Sequence, residues 1–214
     1  MKHIVVLAGF LLSVALVRAQ SPAGSPSSPG SSSLDSSPLD ISYYPVDYPV
    51  LKIQDKVSEP LVARVVYSRP MKKGRRLFGD LVAYGQVWRL GANEATEIEF
   101  FKDVKIDGKA LKKGRYTLYA LVNADNWTII FNKETDTWGA FKYTTSKDIL
   151  RATVPVERQS EVTEAFSIAF QKAEKVPGTE KGGNQAAKQS NQPAKGANLV
   201  FNWDDILVKL PISW

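Results

Sequence analysis

The chain has 214 residues, a formal net charge of +6, no cysteine and a single histidine, His3. Disulfides are excluded, a transition-metal centre is disfavoured because such sites draw on imidazole or thiolate ligands, and a Ser-His-Asp or Cys-His relay is ruled out once His3 falls in a removable leader. Acid–base chemistry is left to Asp, Glu, Lys or Tyr.

The N-terminus predicts export. Lys2 and His3 give a positive start, Ile4 to Val17 is apolar, and Val17-Arg18-Ala19 has the small-residue pattern of a cleavage site. A signal peptide over 1–19 is expected, leaving a periplasmic or extracellular protein. The apolar run is shorter than the roughly 20 residues of a spanning helix, and no other stretch replaces it, so no transmembrane segment is expected. Lys and Arg are dispersed, without a recognition helix, and nucleic acid is not an expected partner.

Residues 20–40 are mostly Ser, Pro and Gly and read as a disordered linker, because they cannot bury enough apolar surface to offset ordering. Residues 41–59, with Tyr43, Tyr44, Pro45 and Pro49, read as an extended arm. A single β domain is then expected over 60–214. Leu61 to Ser68 is a strand ended by Arg69-Pro70, and Lys72-Lys73-Gly74-Arg75-Arg76 is a basic loop. Gln86 to Leu90 is a short strand. Thr96, Ile98 and Phe100 alternate with Glu97 and Glu99, the period of a half-buried strand. Asp107-Gly108 is a tight-turn signal, Arg115 to Val122 and Trp127 to Asn132 are strands, and Lys133 to Lys147 is a polar loop carrying Trp138, Phe141 and Tyr143. Ile149 to Val156 and Val162 to Phe170 resume the strand pattern. Residues 171–197 read as a disordered polar insert, and Asn198 to Trp203 with Ile206 to Ile212 as a closing hairpin turning at Asp204-Asp205. Short strands with hairpin turns and no amphipathic helix predict an all-β protein, an antiparallel β-sandwich or jelly-roll-like barrel.

The densest chemistry lies in Val87-Trp88-Arg89-Leu90-Gly91-Ala92-Asn93-Glu94-Ala95-Thr96. An indole face with guanidinium, amide and carboxylate groups can orient a polar ligand. The same residues can instead lock a loop, with Trp88 in the core and Arg89 paired to Glu94 or to backbone carbonyls. Trp88, Arg89, Asn93, Glu94, Trp138 and Tyr143 are the candidate ligand-binding residues. Glu94 and Arg89 are the candidate catalytic ones, with Tyr84 or Tyr143 assisting. Glu97 and Glu99 share a face and fit a solvated surface opposite basic residues better than a glycosidase pair. The basic loop and the turn residues Asn123, Asp125 and Asn126 could hold an anion or calcium, but solvated turns account for both. No metal or cofactor is expected.

Tyr84 to Arg89 running into Gly91 to Thr96 resembles the signature of the family catalogued as domain of unknown function 2911. Ser68-Arg69-Pro70, Lys73-Gly74-Arg75, Phe78-Gly79, Leu111 to Tyr116, Trp127 to Lys133 and Trp138-Gly139-Ala140 match as well. The resemblance implies a secreted, β-rich protein, mainly of Bacteroidetes-type bacteria, and carries no activity. Two functions stay open: a non-catalytic envelope domain binding a glycan or a protein partner, and a histidine-independent glycan hydrolase or lyase.

Overall fold

The computed structural model describes residues 34–173 and 195–214. The expected signal peptide, the linker as far as residue 33 and residues 174–194 of the expected insert lie outside that range.

The chain is nearly all antiparallel β. Its strands are β1 (Leu39–Tyr44), β2 (Ala63–Ser68), β3 (Val87–Trp88), β4 (Glu97–Phe100), β5 (Val104–Ile106), β6 (Lys109–Leu111), β7 (Gly114–Val122), β8 (Asn126–Asn132), β9 (Asp148–Lys172) and β10 (Gly196–Ser213). They form one sheet in the order β1-β2-β4-β7-β8-β9-β10-β5-β6, with β3 added beside β7. The first half of β9 pairs with β8 and the second half with β10, so β9 joins the two parts of the sheet.

The sheet curls back on itself. Beyond β2, the Pro70 carbonyl accepts from Phe166 N–H at 2.9 Å and Lys72 N–H donates to the Glu164 carbonyl at 2.8 Å. Apolar residues at alternate positions of every long strand point into the enclosed space, as period-two patterning requires. At its centre Trp88 stacks on Trp203, 5.8 Å apart, and meets Trp127 edge-on, with Phe78 and Phe166 completing the cluster. A second, smaller apolar cluster lies elsewhere, where Tyr119 and Ile130 pack with Ala140 and Tyr143 of the 133–147 loop.

Several expectations need revision. Ile41 to Tyr44, read as an arm, belong to β1, which pairs with β2 from Leu39↔Ser68 to Tyr44↔Ala63. Tyr48–Ile53 is a short helix, α1, with a proline in its first turn, where the missing N–H costs nothing. The expected closing hairpin is instead one continuous strand, β10. Asp204 takes a left-handed conformation (φ 58°) and the register shifts on both sides of it, which marks a bulge. The two strands expected over 149–170 are likewise one, β9, whose residues between Arg158 and Thr163 face only Asp205. At the flanks of the expected insert, Ala197 pairs with Lys172 and Asn198 with Gln171, so both strands run further than their apolar residues suggested.

Candidate functional site

The loop between β3 and β4 is fixed largely by its own backbone. Trp88 is 9% exposed and donates its indole N–H to the Gly91 carbonyl at 3.2 Å. The Thr96 hydroxyl donates to the Leu90 carbonyl, and Thr96 N–H to that of Arg89. Gly91 has φ 153° and lies so close to β2 that a Cβ would stand 3.1 Å from the Ser68 carbonyl oxygen. Glycine is required at such an approach. Asn93, also left-handed at φ 59°, uses both ends of its amide on the backbone of Asp35: Nδ2 donates to the carbonyl at 2.8 Å, and Oδ1 accepts from the N–H at 3.0 Å.

Two side chains remain. Neither Arg89 nor Glu94 makes a side-chain hydrogen bond or ion pair among the described residues, and they do not pair with each other. Glu94 is exposed; Arg89 is half-buried, with its Nε enclosed and unpartnered. Burial pulls the Arg89 guanidinium down from its ordinary value, and Asp35 opposes that shift.

Glu94 opens on a cleft of about 380 Å³ between this loop and the 133–147 loop. Ala95 N–H donates to the Thr137 carbonyl and Gly139 N–H to that of Asn93, so the two loops form its wall together. Leu39, Val66 and Ala95 supply apolar lining, and Trp138, 47% exposed, borders it. Glu97 and Asp136 also line the cleft. Both are committed: Arg115 pairs with each, at 3.5 Å for Glu97, and Glu97 accepts the Asp136 N–H at 2.6 Å. Glu99 pairs with Arg64 at 2.8 Å, so the carboxylates of β4 face basic residues of the neighbouring strands.

Arg89 faces a different, smaller cavity, of about 110 Å³, with Trp88, Trp203, Leu81 and Arg75 around it. The two most prominent polar residues of the signature therefore serve separate spaces. Tyr143 lies apart from both. Its ring packs edge-on against Tyr119, 5.1 Å away, and its hydroxyl donates to Asp148 at 2.7 Å and accepts from Arg151. Burial and the Asp148 carboxylate push its pKa up to about 12. Phe141 is 84% exposed. Asn123 and Asn126 close the β7–β8 turn, with Asn123 N–H donating to the Asn126 carbonyl. Among the described residues no group of three or more His, Cys, Asp or Glu could hold a metal ion.

Leu39, Val66, Asp136 and Thr137 were not anticipated in the sequence as cleft residues. Leu39 was legible in principle, because Leu39, Ile41 and Tyr43 alternate with polar residues as a strand does.

These features describe an all-β domain whose signature loop separates a large apolar cleft from a small basic cavity. A family model described as "Protein of unknown function (DUF2911)" matches residues 49–181, and the chain belongs to that family. Neither a curated protein nor a solved structure matches it significantly.

Proposed function

We propose that the protein is an exported, non-catalytic binding domain of the cell envelope, and that the cleft between the signature loop and the 133–147 loop takes an oligosaccharide. The observation that carries this reading is the half-exposed indole of Trp138 beside the uncommitted Glu94 carboxylate, in a cleft also lined by apolar Leu39 and Val66. A pyranose presents an apolar ring face to an indole and hydroxyls to a carboxylate. The cleft volume falls in the ordinary range for small-molecule sites. Export rests on the leader pattern at Lys2 to Ala19. Support for a glycan hydrolase or lyase is thinner. Glu97 and Asp136 are both tied to Arg115, leaving Glu94 without a second uncommitted carboxylate, and Arg89 faces the other cavity.

A thermal-shift screen against neutral and acidic envelope oligosaccharides tests the reading. A ligand at 100 times its dissociation constant stabilises by about 2.7 kcal/mol, enough to read directly. The shift should vanish in Trp138→Ala, which removes a half-exposed ring, and shrink in Glu94→Gln. An oligosaccharide that stabilises wild type and Trp138→Ala equally rules the cleft out, as does the absence of any stabilising oligosaccharide.

A further inference from the structure

The smaller cavity gathers more positive charge than its lining neutralises. Arg89 brings its enclosed Nε. Arg75 lies across from it, donating from Nε to the Lys72 carbonyl at 3.0 Å and from Nη2 to that of Met71, with no carboxylate in ion-pair reach among the described residues. An adjoining space of about 120 Å³ shares Arg75 and Asp35 and adds Lys73. Glu164 accepts the Lys73 backbone N–H at 2.7 Å, and one carboxylate, Asp35, lines the cavity itself. It accepts hydrogen bonds from the N–H and hydroxyl of Ser37, which hold it below the usual carboxylate range, with Lys73 and Arg75 contributing. It makes no ion pair with Arg89 within 4.0 Å. The other basic residues of the loop are engaged elsewhere, Lys72 with Asp204 at 2.5 Å and Arg76 with Asp80 at 3.9 Å.

A buried guanidinium donor without an acceptor is costly to maintain. The remaining wall is apolar, formed by Trp88, Trp203, Leu81 and Pro70. At about 110 Å³, with the adjoining 120 Å³ beside Arg75, the space accommodates a carboxylate with a short tail. A carboxylate meets the fork of a guanidinium through two parallel hydrogen bonds, and its aliphatic tail, which inorganic phosphate lacks, matches these apolar walls.

We propose that this cavity is a binding site for a small aliphatic carboxylate, held by the Arg89 guanidinium with Arg75 at the mouth and its tail against Trp88 and Trp203. The site is separate from the oligosaccharide cleft and does not depend on it. Asp35 repels the ligand weakly and sets its affinity.

The test is a titration of the whole chain with propionate, followed through the Arg89 Nε–H resonance in ¹⁵N-labelled protein and through tryptophan fluorescence, with inorganic phosphate run in parallel. The expected result is a saturable shift at Arg89 in wild type, with the affinity read from tryptophan fluorescence weakened about tenfold in Arg89→Lys, the loss that follows from one charge-assisted bond. Asp35→Asn should bind roughly twofold to fivefold more tightly, the effect of removing one exposed like charge. A shift that never saturates overturns the proposal, and so does equal affinity in Arg89→Lys. Tighter binding of phosphate than of propionate overturns the ligand class. Should Arg89→Lys fail to fold, Asp35→Asn decides: affinity that is unchanged or weaker overturns the proposal.

Discussion

Arg89 is a residue that stability alone does not explain. Three of its neighbours in the loop satisfy backbone groups: Trp88 caps Gly91, Thr96 caps Leu90, and Asn93 holds Asp35. The Arg89 Nε satisfies nothing and is enclosed. Replacing a buried unpaired polar group by an apolar one of similar length removes a desolvation cost without opening a cavity. Arg89→Met is therefore expected to raise stability, by about 1 kcal/mol, while abolishing the Arg89-dependent carboxylate response. Urea denaturation of the variant against wild type reads the sign. A loss of more than 1 kcal/mol would mean that the guanidinium has a structural partner in solution, and the functional reading of Arg89 would fail with it.

Strand β10 shows how an element can look like a turn without being one. Asp204 and Asp205 interrupt an apolar run, and two consecutive aspartates suggest a reversal of the chain. In the structure the strand continues: Asp204 takes the left-handed conformation that a bulge requires and its carboxylate pairs with Lys72 at 2.5 Å, both side chains about one-fifth exposed or less. Asp204→Ala loses the ion pair and the short polar side chain that tolerates left-handed backbone, so a cost of about 2–3 kcal/mol is expected. Asp204→Asn keeps the tolerated conformation and loses only the charge, at about 1 kcal/mol. Equal losses in urea melts of the two variants would show that charge alone matters, and the bulge argument would fall. Strand β4 was legible because one face is buried and the period is unambiguous, and β7 and β8, buried on both faces over much of their length, were legible as apolar, β-branched and aromatic runs bounded by turn residues. Bulges in β9 and β10 were not, since a polar interruption marks an irregularity without saying whether the chain turns back. The site was legible to the same degree. Composition singled out the loop around Arg89 and Glu94, but the opposite facing of those two side chains follows from the left-handed residues Leu90 and Asn93 between them, and no sequence periodicity reveals that.

For the molecule as a whole, the curl of the open sheet brings β2 and the residues just beyond it against β9. Tyr67 of β2 is 4% exposed there. Its ring meets Phe166 edge-on at 6.0 Å and its hydroxyl donates to Asp40 at 3.1 Å, where Arg69 also pairs with Asp40. Burial, with the Asp40 carboxylate adding to it, pushes the Tyr67 pKa up to about 12, against about 10 in an unfolded chain. The folded state therefore favours the neutral phenol. Its contribution is complete below pH 10 and is lost as pH rises toward and through 12, because the unfolded chain releases the proton first. The expected loss by pH 12 is about 2 kcal/mol from this residue. Other tyrosines and the lysines titrate in the same range, so the diagnostic is a difference. Tyr67→Phe should start about 1 kcal/mol less stable at pH 8, having lost one hydrogen bond, and should lose less stability than wild type between pH 10 and 12. Urea midpoints collected across that range for both proteins would converge if this contact is packed around a neutral Tyr67. Parallel curves would place the phenol in solvent and remove Tyr67 as the residue that links the two halves of the sheet to pH.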